Sequence, residues 1–194
     1  MPSEGFFSGK LVRLAALQRG DLPLLAAQLE DPEYLGYAQG GLLYNETLED
    51  LTQQFDQDHR IPWGGLEALQ ELSFGIHTLD SDLLIGKVEL VRFDWRSQSA
   101  EVGIGIGNKA FWDKGYGTDA MRVLLRYTFM ELGLHRVQLD VFSFNRRAAR
   151  SYEKAGFSFE GARREAIYRD GVFHDDLVMS ILRQEWDALP EDKR

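Results

Sequence analysis

Apolar residues repeat at helical spacing in some stretches of the chain and alternate with polar ones in others, and these two periods predict its elements. Asp21-Leu22-Pro23 offers a capping residue and a proline in the first turn, where its missing N–H costs nothing, and Leu24, Leu25 and Leu29 follow at helical spacing. This helix should close near Asp31-Pro32. Thr47-Leu48-Glu49-Asp50 opens a second helix with an acidic first turn and an apolar stripe of Leu48, Leu51 and Phe55. Segment 60–72, with Pro62, Trp63 and Gly64-Gly65, has no clear period and reads as a loop with a short helical turn.

From Ser73 the period falls to two. Strands at 74–79 and 83–93 make an antiparallel hairpin about Asp80-Ser81-Asp82, and a third strand, 99–107, follows a turn at 94–97. The strongest helical pattern, 118–132, carries Met121, Leu124, Leu125, Phe129 and Leu132 and stops at Gly133. A strand at 136–144 precedes a helix capped by Asn145 and ended by Gly156, after which 157–159 begins another strand. The last hairpin, 166–169 and 172–182, turns on Asp170-Gly171, a dipeptide that tolerates positive φ. The sum is an α+β domain with a mixed sheet flanked by helices, and no internal repeat.

Composition narrows the function. A chain of 194 residues fits one domain, 1–194, with 185–194 as a short C-terminal extension. Without cysteine there are no disulfides, thiolate metal sites or thiol nucleophiles. The opening MPSEGFFSGK is no signal peptide and no apolar run is long enough to cross a bilayer, so a soluble, cytoplasmic protein with no membrane partner is expected. A net charge of −9 and a pI near 5.0 turn the expectation away from direct nucleic-acid binding and towards a cationic small molecule or peptide.

Two adjoining features carry the candidate chemistry. In the strand Glu101-Val102-Gly103-Ile104-Gly105-Ile106-Gly107, alternation puts Val102, Ile104 and Ile106 on one face and Glu101 with three glycines on the other. A face without side chains admits either a packed helix or a ligand. Directly after it, Trp112-Asp113-Lys114-Gly115-Tyr116-Gly117-Thr118 runs into the best helix, and backbone N–H groups cleared of side chains at a helix N-terminus suit phosphate oxygens. The spacing is neither a Walker loop nor a full dinucleotide fingerprint.

Ala100-Glu101-Val102, the loop Lys114–Ala120, and Asn145 with Tyr152-Glu153-Lys154-Ala155-Gly156-Phe157 together resemble the GNAT superfamily of acetyl-CoA-dependent N-acetyltransferases, over roughly residues 84–182. The ending, Tyr168-Arg169-Asp170-Gly171-Val172-Phe173-His174-Asp175 through Met179, is similar to the branch that acetylates ribosomal-protein N-termini and polyamines. The resemblance implies a mostly antiparallel central sheet and acetyl-CoA as co-substrate. It implies coenzyme contacts from Ile104, Gly105, Ile106, Trp112, Asp113, Lys114, Gly115, Tyr116, Gly117, Thr118 and Asn145, and catalytic roles for Glu101 and Tyr152. Trp112 departs from the family's Gln or Arg at the start of the phosphate loop.

Acetyl transfer by direct attack in a ternary complex needs a neutral amine, and an alkyl ammonium with a pKa of about 10 must first lose a proton, which is the role implied for Glu101. Full proton transfer from the Tyr152 phenol to a thiolate is uphill by about 2 kcal/mol, so a hydrogen bond to the leaving sulfur is the safer role. The acceptor is a small amine, polyamine-like, or a peptide N-terminus, and a homodimer is left open. No metal is expected, because His174, Asp175 and Asp176 alternate across a strand and cannot chelate together. Arg146, Arg147 and Arg150 sit where adenine or the 3′-phosphate of the coenzyme could be reached, but a solvated basic helix face is the preferred reading. The competing reading is a non-catalytic acyl-CoA-binding or sensing module on the same fold.

Overall fold

A computed structural model of the chain describes residues 5–38, 46–58 and 69–194. Strand β1 (Val12–Ala16) leads through a short turn into helices α1 (Leu22–Leu29), α2 (Pro32–Ala38) and α3 (Leu48–Asp58). Strands β2 (Glu71–Thr78), β3 (Leu84–Asp94) and β4 (Ser99–Ile106) follow, then α4 (Tyr116–Met130), β5 (Arg136–Phe142), α5 (Arg146–Ala155), β6 (Ser158–Arg169), β7 (Val172–Leu182) and α6 (Arg183–Asp187). The seven strands form one sheet in the order β1-β2-β3-β4-β5-β7-β6, antiparallel except where β4 meets β5. This is the mixed, mostly antiparallel sheet expected for an α+β domain.

Several local expectations are corrected. The helix that should close near Asp31-Pro32 does so, but α2 starts at once, because the Asp31 carboxylate accepts the N–H groups of Glu33 and Tyr34 (3.0 and 3.1 Å). The Asp-Pro pair restarts a helix after ending one. β6 runs unbroken where two short strands were read. Its alternation is lost at irregularities after Phe159 and Arg163, with Glu165 at φ 53°. The short C-terminal extension, 185–194, begins within α6, whose Trp186 is buried against Phe129. Of segment 60–72, residues 60–68 lie outside the described residues, and Glu71 and Leu72 already belong to β2.

One face of the sheet makes the core. Val12, Ile76, Val88, Leu90, Val102 and Leu139 pack with Met121, Leu124, Leu125 and Phe129, the stripe of α4. Added Cβ atoms map the other face: at Gly103 one would meet the Glu89 carboxylate (2.9 Å), at Gly105 the Tyr34 hydroxyl, and at Gly107 Gln28. So α1 and α2 close over the glycine strip, and both uses that the sequence allowed for it, helix packing and a ligand groove, meet here.

The N-terminal segment is fixed by one buried carboxylate. Asp119, in the first turn of α4, accepts the N–H groups of Lys10, Leu11 and Val12 (3.1, 2.7 and 3.0 Å). Asp119→Ala strands these donors and should lower unfolding free energy in urea by about 2–4 kcal/mol, given that hydrogen bonds to a charged group contribute more than neutral ones. A change below about 0.5 kcal/mol would show that the segment is held elsewhere.

Candidate active site

The parallel pairing of β4 and β5 is short. Ser99, Ala100 and Glu101 lie opposite Arg136, Val137 and Gln138, and beyond them the strands diverge. On its other side β4 stays paired with β3 as far as Ile106. The backbone of 102–106 therefore presents one unpaired edge to a cleft of about 1610 Å³, with Tyr152 and Asn145 on the β5–α5 side. Such an edge accepts an extended, amide-bearing ligand as it would another strand.

At one end of the cleft stands the N-terminus of α4. Gly115 caps the helix with φ 90°, and the Asp119 N–H closes the first turn on the Gly115 carbonyl (2.9 Å). The N–H groups of Tyr116, Gly117 and Thr118 precede that bond and have no intrahelical partner. The loop is held in place from both sides: the Trp112 indole N–H donates to the Ile106 carbonyl (2.6 Å), and the Thr118 hydroxyl meets Ser151 of α5 (2.8 Å). Cations at this end include Lys10, Arg122, Arg150 and Lys154.

Of the residues expected at a coenzyme site, Ile104, Gly105, Ile106, Trp112, Asp113, Gly115, Gly117, Thr118 and Asn145 line the cleft. Lys114 and Tyr116 are not in its wall; Lys114 is exposed and Tyr116 packs edge-on against Phe111. Asn145 caps α5 by accepting the Ala148 N–H (3.2 Å). Tyr152 lines the cleft, and burial pushes its pKa up to about 12 although Arg147 opposes the shift. Glu101 lies on the glycine face as its phase requires. It stands outside the cleft wall, two residues before Gly103, with its carboxylate 2.5 Å from Arg92.

Sequence reasoning missed several groups in the wall. Glu89 projects over Gly103, and beside it the half-buried Tyr34 has a pKa pushed up to about 12, by burial and then by the Glu89 charge. Lys87 and Asp140 complete this side. Period-two alternation places Lys87 and Glu89 on one face of β3, but nothing local says which face a helix leaves open. Arg147 is not a solvated helix residue: its guanidinium stacks 3.3 Å from the Trp112 ring centre and also faces Tyr37 (5.4 Å). Burial lowers its pKa, with Asp113 opposing.

The described residues hold no cluster suited to a metal, and none of their helices is long and apolar enough to cross a membrane. His174 packs edge-on against Phe144, Asp175 accepts the Glu165 N–H, and Asp176 pairs with Arg163.

Residues 12–158 match the family model described as "Acetyltransferase (GNAT) domain". The chain is 39% identical over 121 residues to the probable N-acetyltransferase YjcK of Bacillus subtilis, covering 62% of this chain and 66% of that protein. It is 36% identical over 105 residues to the putative ribosomal N-acetyltransferase YdaF of the same organism, covering 54% and 57%. Both matches thus span less than two thirds of the relative. Among solved structures, the spermidine N-acetyltransferase of Vibrio cholerae in complex with CoA and spermine superposes with a TM-score of 0.78 at 27% identity, over 90% of this chain and 97% of that one.

A Cβ at Gly117 would meet only ordinary contacts, Ser151 Oγ at 3.5 Å and Ile106 at 3.7 Å. Gly117→Val should therefore fold, yet weaken CoA binding more than about tenfold by calorimetry, because the side chain obstructs approach to the helix N-terminus. Unchanged affinity in the folded variant would remove the phosphate site from this loop.

Proposed function

The chain belongs to the acetyltransferase (GNAT) domain family, and from that premise we propose that it moves an acetyl group from acetyl-CoA to a primary amine by direct attack in a ternary complex. The observation that carries this reading is the unpaired edge of β4, which runs from the α4 N-terminus to a wall bearing carboxylates. A coenzyme fits the first part: α4 donors and nearby cations for its phosphates, and the 102–106 edge for its amide-bearing arm. When bound it contributes the thioester. A module that only bound acyl-CoA would have no use for the acceptor side of the cleft, whose wall carries Glu89, Asp140 and Tyr34.

In this mechanism the residues divide the work. A carboxylate on the glycine face takes one of the two protons the nitrogen loses; the N–C bond forms and the C–S bond breaks. A backbone N–H of 104–106 faces the carbonyl oxygen as its charge develops. Tyr152, kept neutral by burial, donates a hydrogen bond to the departing sulfur, which ends with the second proton. Trp112 holds Arg147 over the phosphate loop, where its charge meets the pyrophosphate.

Glu101 is our base, acting through water from the cleft margin, where its carboxylate pairs with Arg92. One observation favours a second candidate: Glu89 lies in the wall itself. Glu101→Gln should lower turnover at about pH 7 by roughly a hundredfold and recover part of it at about pH 10, where more of the amine is already neutral. If its pH–rate profile overlays the wild type while that of Glu89→Gln shows the defect, Glu89 is the base.

Tyr152→Phe should reduce kcat by about tenfold or more with coenzyme affinity within about twofold, since the hydrogen bond is made to the leaving group and not to the bound thioester. Burial favours the neutral phenol, so its donor persists below a pKa of about 12. In the wild type the rate should not fall between about pH 9 and pH 11, where an ordinary tyrosine ionises. A descending limb near pH 10 that Tyr152→Phe abolishes would contradict this role.

A further inference from the structure

The carboxylates on the acceptor side of the sheet already carry cations of the protein's own. Lys87 Nζ lies 2.6 Å from Glu89, and Arg92 Nη1 lies 2.5 Å from Glu101. Arg163 bridges Asp140 and Asp176 (2.8 and 2.6 Å). The Arg92 contact depends on a backbone irregularity. Simple alternation from Val91, which lies opposite Glu101, would send Arg92 to the other face of β3. The register shift between Val91 and Asp94, with Arg92 at φ 51°, brings its guanidinium back onto the carboxylate.

Lys87 stands among more than one carboxylate. Burial works against its ammonium, but Glu89, Glu71 and Glu46 overcome that and hold its pKa above the ordinary lysine value. A nest of this kind is what the second ammonium of a diamine needs. Here it is filled by a tethered cation, which competes at high effective concentration with any cation arriving from solution. The neighbouring wall takes Leu25 and Leu29 from α1 and Leu51 and Phe55 from α3, with the uncharged Gln28 and Gln54 beside them. It suits a substrate body without charge.

We propose that the acceptor is a primary amine with a single positive charge on an uncharged, largely apolar body, and that Lys87 and Arg92 are specificity determinants that turn polyamines away. This rests on the acetyltransferase reading above. The spermine in the Vibrio cholerae structure marks the ligand class that these two cations exclude here. Both side chains are partly in solvent, 43% and 71% exposed, so replacing them should leave the fold intact.

The test compares hexylamine and spermidine as acceptors by free-thiol release, in wild type and in the Lys87→Met/Arg92→Met double variant. The wild type should favour hexylamine in kcat/KM, and the double variant should shift the ratio towards spermidine by about tenfold or more, with a steeper salt dependence for spermidine. Preference for spermidine in the wild type, or an unmoved ratio, overturns the proposal. A second readout does not need turnover: calorimetric titration of spermidine into the CoA-loaded proteins should give at least about tenfold tighter binding in the double variant. Equal affinities overturn the proposal as well. If that tightening is seen but no amine releases thiol from the wild type, the charge gate stands and the acetyltransferase reading fails.

Discussion

Strands β4 and β5 pair for three residues and then part in the middle of a seven-stranded sheet. Backbone N–H and C=O groups in that position need partners, since leaving them dry and unpaired costs as much as a lost hydrogen bond. Here the gap between the strands is a cleft open to solvent, and the free edge of β4 faces it. Neighbouring contacts keep the gap in shape: Thr118 joins α4 to Ser151 of α5, and Trp112 ties the phosphate loop to the Ile106 carbonyl. The parting of the strands thus sets the position of the cleft, the loop at its end and Tyr152 on its far side.

The two sides of the cleft differ in electrostatics. Towards the α4 N-terminus, lysines and arginines stand near backbone donors that have no intrahelical partner, an environment for phosphate. On the glycine face, carboxylates are paired with cations at hydrogen-bonding distance. The net charge of −9 therefore says little about the acceptor side. Net charge acts at long range, whereas these pairs act within the cleft itself.

Burial acts on the tyrosines of the cleft in one direction. Tyr34 and Tyr152 are both pushed to about 12, so each remains a hydrogen-bond donor through neutral and moderately alkaline pH. For Tyr152 that fits a partner of a developing thiolate. The Tyr34 hydroxyl lies directly above the backbone of Gly105, which explains why β4 carries no side chain there.

The elements themselves were legible in the sequence, because local periodicity and caps decide them. The stripe of α4, the Asn145 cap, Gly156 at φ 109° and the Asp170-Gly171 turn all act within a few residues. The loop residues Gly115, Gly117 and Thr118 and the facing of Glu101 were legible for the same reason. What local pattern could not carry was the pairing of distant groups. Arg92 reaches Glu101 only through a register irregularity, Arg147 reaches Trp112 only once α5 is docked, and Glu89 and Tyr34 meet over the glycine strip only once α2 is docked. Each depends on where a remote element comes to rest, which sheet register and helix packing settle together, so the chain determined the residues of the cleft and tertiary structure determined which of them face one another.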